Sequence, residues 1–241
     1  GHILSEQFEQ LVNSAMQQMP DLPETAKYDL ALRTYDLMQY QNVAFGRRYV
    51  EAVRRIYRRD RGEARFEATR AVIWNLAKVS LIKDEPYVSY LLTRYEKKQR
   101  DLAKYNVDAL NGDRLKYRHH TSPEFNIGPW RIRLRLTTTD WQLALVRHMK
   151  WWRKLPGWHK REVLFRDWYI GLLDRVSLNT DEAYEKAVRI LRCPEQVSGY
   201  REVRYPKMDA ARAAVESELH PVPKSAATAA RARVPGVPAS V

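Results

Sequence analysis

The residues able to do chemistry in this chain are few and scattered. Cys193 is the only cysteine among 241 residues, which excludes an internal disulfide and a cysteine-ligated iron–sulfur cluster. A thiolate nucleophile needs a base and an oxyanion donor. Cys193 is followed by Pro194 and has no histidine at helical spacing. His119-His120, His148 and His159 make no metal signature, because adjacent histidines on a strand point to opposite faces. HExxH is absent, as are the glycine-rich phosphate loops GxGxxG and GxxxxGKS. No catalytic, cofactor-binding or metal-ligating residue is assigned.

Charge offers more. Formal net charge is +13 and the sequence pI is near 9.8, a balance that suits nucleic acid, an anionic cofactor or an acidic partner. The densest run is Arg47, Arg48, Arg54, Arg55, Arg58, Arg59 and Arg61. Glu51 lies four residues from both Arg47 and Arg55, the spacing of intrahelical pairs, and a solvated helix end is the expected setting. Arg54, Arg55 and Arg58 are kept as candidate docking residues. Six of the seven tryptophans fall between Trp130 and Trp168, interleaved with Arg131, Arg133, Arg135, Arg147, Lys150, Arg153 and Lys154. Rings among cations can stack bases and hold phosphates. Trp141, Leu145, Met149 and Trp152 also share one helical stripe, so a core face is the preferred reading.

These residues must be carried by helices. Ser5 is expected to cap a first amphipathic helix ending at Pro20, and Asp21 or Pro23 opens the next. Glu24 to Arg59 keeps helical spacing as one long helix or as an antiparallel pair, with Gly46 marking a kink or a close helix contact. A further helix runs from after Gly62 to about Ile82. Asp84-Glu85-Pro86 then restarts the chain, Asp84 as cap and Pro86 in the first turn, and helix is expected to Lys104. Between Leu115 and Leu136 the pattern turns to period two, the mark of a wide two-stranded hairpin. Asp140 opens a helix to Lys154, another spans His159 to Val176, Thr180 caps one to Leu191, and the last covers Met208 to Leu219. Pro194-Glu195-Gln196 reads as a helical first turn closed by Gly199-Tyr200.

Length and a hydrophobic content of 44% allow one sizeable core. The expected fold is mainly α: an irregular helical bundle over residues 1–220 with a small two-stranded β insertion around 115–136 and a sub-boundary near 105–140. Residues 221–241 form a Pro/Ala/Arg tail, expected to be disordered, with three of the thirteen net charges. No run approaches the ~18 apolar residues of a membrane span, and no export signal is visible. A cytoplasmic protein is expected and, since it starts at Gly1, a fragment of a longer subunit.

Four stretches go beyond what helix ends require: Leu37-Met-Gln-Tyr-Gln-Asn42, Asn75-Leu-Ala-Lys78 through Lys83-Asp-Glu-Pro-Tyr-Val88, Gly128-Pro-Trp130, and Leu191-Arg-Cys-Pro-Glu-Gln-Val-Ser-Gly-Tyr200. In this order they resemble the helical C-terminal region of indolepyruvate:ferredoxin oxidoreductases, beta-subunit type, across roughly Glu24 to Met208. Asn42 stands where that family tends to have an acid. The resemblance implies oxidative decarboxylation of aryl 2-oxoacids to arylacetyl-CoA or arylacetate. It also implies thiamine diphosphate, magnesium and [4Fe–4S] clusters in other domains or subunits, and ferredoxin or a similar carrier as acceptor. The Gly-Asp-Gly-type turn that precedes a metal-binding Asn in thiamine sites is not supplied by Asn111-Gly112-Asp113. The expected role is structural or docking, through Lys83, Asp84, Glu195 and Tyr200, against a thiamine-binding catalytic subunit and an acidic carrier. The alternative is a basic helical nucleic-acid-binding module.

Overall fold

The computed structural model describes residues 2–121, 124–127, 130–133 and 136–220. The tail 221–241 lies outside the described residues. Among the described residues ten α-helices dominate: α1 His2–Gln18, α2 Glu24–Tyr40, α3 Val43–Tyr57, α4 Glu67–Ser80, α5 Glu85–Thr93, α6 Tyr95–Lys104, α7 Asp140–Val146, α8 Lys160–Arg175, α9 Asp181–Leu191 and α10 Arg201–Leu219. The expected mainly helical class holds. Among the described residues no helix is long and apolar enough to cross a membrane.

Glu24 to Arg59 is a pair and not one helix. Gln41-Asn42 breaks it, and the Asn42 side chain accepts from the Phe45 amide as an N-cap. Gly46 marks close contact: a Cβ there would lie 2.6 Å from Met38 Cγ on α2. Helix α1 begins at His2, before Ser5, so Ser5 is not a cap; its hydroxyl bonds to Glu9 one turn on. Asp84 and Thr180 do cap α5 and α9, accepting from the Tyr87 and Ala183 amides. The expected continuous helix to Lys104 is interrupted at Arg94, which is extended. Helix α10 starts at Arg201, earlier than Met208, and carries Pro206 inside its first turns. Gly199, at φ +98°, supplies the left-handed turn before it.

The main core lies among α2, α3, α4, α8 and α9, with α1 and α10 laid over it; Leu37, Val53, Ile73, Leu172 and Leu191 are fully buried there. Two core tyrosines keep their hydroxyls satisfied, Tyr49 donating to the Ile73 carbonyl and Tyr169 to that of Leu191, each at 2.7 Å. Burial raises both phenols well above their ordinary range. Asp60 ties the α3–α4 turn. It accepts from the Thr69 amide at 2.7 Å, the Thr69 hydroxyl at 2.6 Å and the Tyr184 hydroxyl at 2.8 Å, doing for α4 what Phe66 at the cap position cannot.

Among the described residues the β insertion consists of two short antiparallel ladders. Strands β1 His119–Thr121, β2 Glu124–Ile127, β3 Trp130–Arg133 and β4 Leu136–Thr138 pair as β1–β4 and β2–β3. Thr121 faces Leu136 and Glu124 faces Arg133, so both ladders keep one register. The expected first strand from Leu115 begins instead at His119, and part of the expected wide loop is β2.

The stretch after the hairpin departs most from expectation. Thr139, not Asp140, caps α7 through a capping box with Gln142, and the helix ends at Val146. A turn and a 3-10 segment, Lys150–Lys154, follow. The Trp141–Trp152 stripe therefore never forms one face: Trp141 is 69% and Leu145 64% exposed, and the buried residue of α7 is Leu143.

Candidate ligand cleft and docking face

The early end of α7 frees the 3-10 segment to fold against α2, where it builds the most elaborate polar arrangement of the described residues. Arg153 reaches into the turn between α2 and α3. Its Nε and Nη2 donate to the two carboxylate oxygens of Asp84 at 2.6 and 2.9 Å. Its Nη1 donates to Gln41 Oε1 at 2.8 Å and to the Tyr40 carbonyl. The guanidinium lies 3.7 Å from the centre of the Tyr40 ring. Asp84 is 1% exposed, and it also accepts from the Tyr87 amide, so one carboxylate caps α5 and answers a buried cation. Lys150 adds its ammonium to the Gln39 carbonyl at 2.6 Å and the Gln41 carbonyl at 3.4 Å. Two cations thus occupy the C-terminal end of α2, where orphan carbonyls and the macrodipole favour positive charge. Burial, with Arg153 and Arg147 nearby, lowers the Lys150 pKa.

Above this latch lies a small second core of Tyr40, Ile82 and Tyr87, with Phe45, Trp158 and Val163 packed on it. Tyr87 meets the Tyr40 ring edge-on at 5.1 Å. A cleft of about 530 Å³ opens over it, walled by Tyr40, Phe45 and Trp158 and carrying Arg48, Arg153, Lys160 and Arg166; its lining has no carboxylate among the described residues. Beside it, Trp151 is 56% exposed and Leu155 lies open, giving an apolar and basic ledge.

A second cavity of about 520 Å³ is lined by Asp21, Tyr57, Arg58, Asp60, Gly62 and Phe66. The arginine run around it is largely engaged in packing and is not a simple solvated end. Arg54 pairs with Glu51 and bonds to Gln18, whereas Arg55 reaches Asp174 at 3.0 Å. Glu51 thus serves Arg54, not the expected Arg47 or Arg55, because Arg55 finds its partner on α8. Arg59 donates to the Leu173 carbonyl at 2.9 Å and to Val176, and Arg61 to Leu178 at 3.1 Å, so both cover the end of α8.

The other singled-out residues fall at three places. Glu195 lies on the 3-10 turn Cys193–Gln196; its carbonyl accepts from Lys78 at 3.1 Å and its carboxylate from Asn75 at 3.4 Å. Lys83 is exposed just before the Asp84 cap. Tyr200, 57% exposed, precedes α10. Burial pushes the Cys193 thiol up to about 12, which leaves it protonated and unreactive at neutral pH. Among the described residues no group of three His, Cys, Asp or Glu could hold a metal ion, and one cysteine cannot ligate a [4Fe–4S] cluster. Nothing described therefore fits magnesium or such a cluster. The sequence shows Arg153 only as one of several cations interleaved with tryptophans and Tyr40 only within the stretch 37–42; the acid-free run around Arg153 is the signal it offers, and the partner of Arg153 lies 69 positions away.

Fold and cleft together define a mainly helical domain that carries a basic, aromatic-walled cleft over its smaller core. A model of DUF6537, a family of unknown function, matches residues 28–217, and the chain belongs to that family. No curated protein and no solved structure matches it.

Proposed function

We propose that this chain is the helical C-terminal region of an aryl 2-oxoacid ferredoxin oxidoreductase subunit of the indolepyruvate type, working in the cytoplasm as a docking scaffold. Catalysis, thiamine diphosphate, magnesium and iron–sulfur clusters belong to other domains of that parent enzyme. One observation carries the reading. The stretches 37–42, 75–88 and 191–200, which bear the resemblance, meet in the fold: Tyr40 packs on Tyr87, Arg153 joins Tyr40 to Asp84, and Lys78 and Asn75 hold Glu195. The links between them run through the Tyr40 and Tyr87 rings, Arg153 and the Asn75–Lys78–Glu195 contacts, and Gly128-Pro129 lies outside the described residues. The exposed ledge and net positive charge suit an acidic carrier steered by long-range attraction. A pull-down with the thiamine-binding catalytic subunit tests the proposal. Retention at about 0.15 M salt, where surface charges are screened beyond ~8 Å, is expected; no association there refutes it.

A second reading, a basic nucleic-acid-binding module, is favoured by the exposure of Trp141 and Trp151 among cations. It requires binding to single-stranded RNA or DNA that weakens steeply with salt, and absence of binding at low salt removes it.

A further inference from the structure

The cleft over the second core holds more positive charge than its neighbours answer. Arg153 is matched by Asp84 and Arg166 by the adjacent Asp167 at 2.8 Å. Arg48 and Lys160 are exposed at the lining and make no ion pair among the described residues. Arg48 instead lies 5.5 Å from the Phe45 ring centre, which fixes it beside an apolar wall. The Tyr40 ring forms part of that wall, and its buried hydroxyl has no hydrogen-bond partner. The two unanswered cations stand on different helices, α3 and α8, at one lining free of carboxylates among the described residues, an arrangement that suits an anion entering the cleft. A monocarboxylate would answer only one of the two cations. A phosphate monoester, with about −1.5 to −2 charges at neutral pH, answers both, and guanidinium suits its oxygens through paired donors. The half-buried Trp158 and Phe45 offer faces and edges for a flat ring. The volume of about 530 Å³ falls within the roughly 300–1,000 Å³ of small-molecule sites.

We propose that this cleft binds the phosphate monoester of a flat heteroaromatic group, the chemistry of a nucleoside monophosphate. Arg48 and Lys160 hold the phosphate, and Trp158 and Phe45 hold the ring. The ligand is either a free nucleotide or the terminal nucleotide of a single strand. The inference rests on neither functional reading above.

Calorimetric titration of the 241-residue chain with AMP tests it. Saturable one-site binding is expected, weakened at least about tenfold in Arg48→Ala/Lys160→Ala, since each removes a charge-assisted contact. Both residues are exposed, so the variant keeps its fold, checked by its circular dichroism; Trp158→Leu supplies an independent loss on the ring side. Arg70→Ala, an exposed cation outside the lining, leaves binding unchanged. Inorganic phosphate binding as tightly as AMP would overturn the ring's part, and indole-3-acetate binding as tightly would overturn the phosphate's. A 5′-phosphorylated oligonucleotide competing for the same site more tightly than AMP assigns the strand end as source, whereas weaker competition assigns the free nucleotide. No saturable heat with AMP up to about 5 mM, a limit near −3 kcal/mol of binding free energy, refutes the site.

Discussion

Replacing Arg153 by Met exposes how much the latch contributes. The substitution keeps the length of the apolar stem but leaves the Asp84 carboxylate, 1% exposed, without its cation. Removing one partner of a buried pair typically costs about 3–5 kcal/mol. Here the Tyr87 amide still bonds to Asp84 at 2.9 Å, which retains part of the compensation and points to the lower end. Loss of the guanidinium stacked 3.7 Å from the Tyr40 ring centre adds roughly 0.5–2 kcal/mol. A total of about 3.5–5 kcal/mol follows, read as a lowered urea midpoint at constant slope. Asp84→Asn isolates the pair, because the amide oxygen can still cap α5. In the double variant the losses are strongly non-additive, with a coupling of about 2 kcal/mol. An Arg153→Met cost under about 0.5 kcal/mol, or additivity within about 0.3–0.5 kcal/mol, would refute the latch as a stabilising pair.

Gly46→Ala destabilises by about 1 kcal/mol net in the same assay: overpacking against Met38 costs about 1–3 kcal/mol, and the helix propensity of Ala returns about 1. A stabilised variant would mean the α2–α3 approach is looser than 2.6 Å implies. Trp141→Ser, at an exposed position, changes stability by no more than about 0.5 kcal/mol, whereas a core tryptophan would cost about 3–5. The bidentate Arg175 pair and the Trp168 indole hold the Glu216 carboxyl from 4.5 down to about 2. Its folded pKa is depressed, so its contribution is present above pH 4.5 and is lost as pH falls through about 2. Glu216→Gln therefore lowers stability at pH 7 by about 0.5–1 kcal/mol, discounted for solvent screening; a loss that persists unchanged at pH 2 would contradict the assignment.

Local chemistry was legible where one residue decides the geometry. Asp84 before Glu85-Pro86 and Thr180 before Asp-Glu are N-caps by residue type alone, and both cap in the fold. Periodicity runs on through Gln41-Asn42 and so does not decide between one helix and a pair; the Asn42 cap does. The Trp141–Trp152 stripe misled because a stripe presumes that the helix continues. Arg147-His148-Met149 contains neither Gly nor Pro, yet the chain leaves the helix there, drawn by Lys150 and Arg153 onto the end of α2. That pull comes from groups about 70 to 110 residues distant, and no window along the sequence contains it. The cleft was illegible for the same reason, since its cations come from α3, the 3-10 segment and α8.

Sedimentation velocity of the chain mixed with the thiamine-diphosphate-binding catalytic subunit, at about 0.15 M salt to suppress nonspecific charge attraction, reads the proposed scaffold role directly. A single faster boundary of constant stoichiometry, formed without added nucleic acid, is the predicted result. Two boundaries, each sedimenting as the separate protein does, would contradict it.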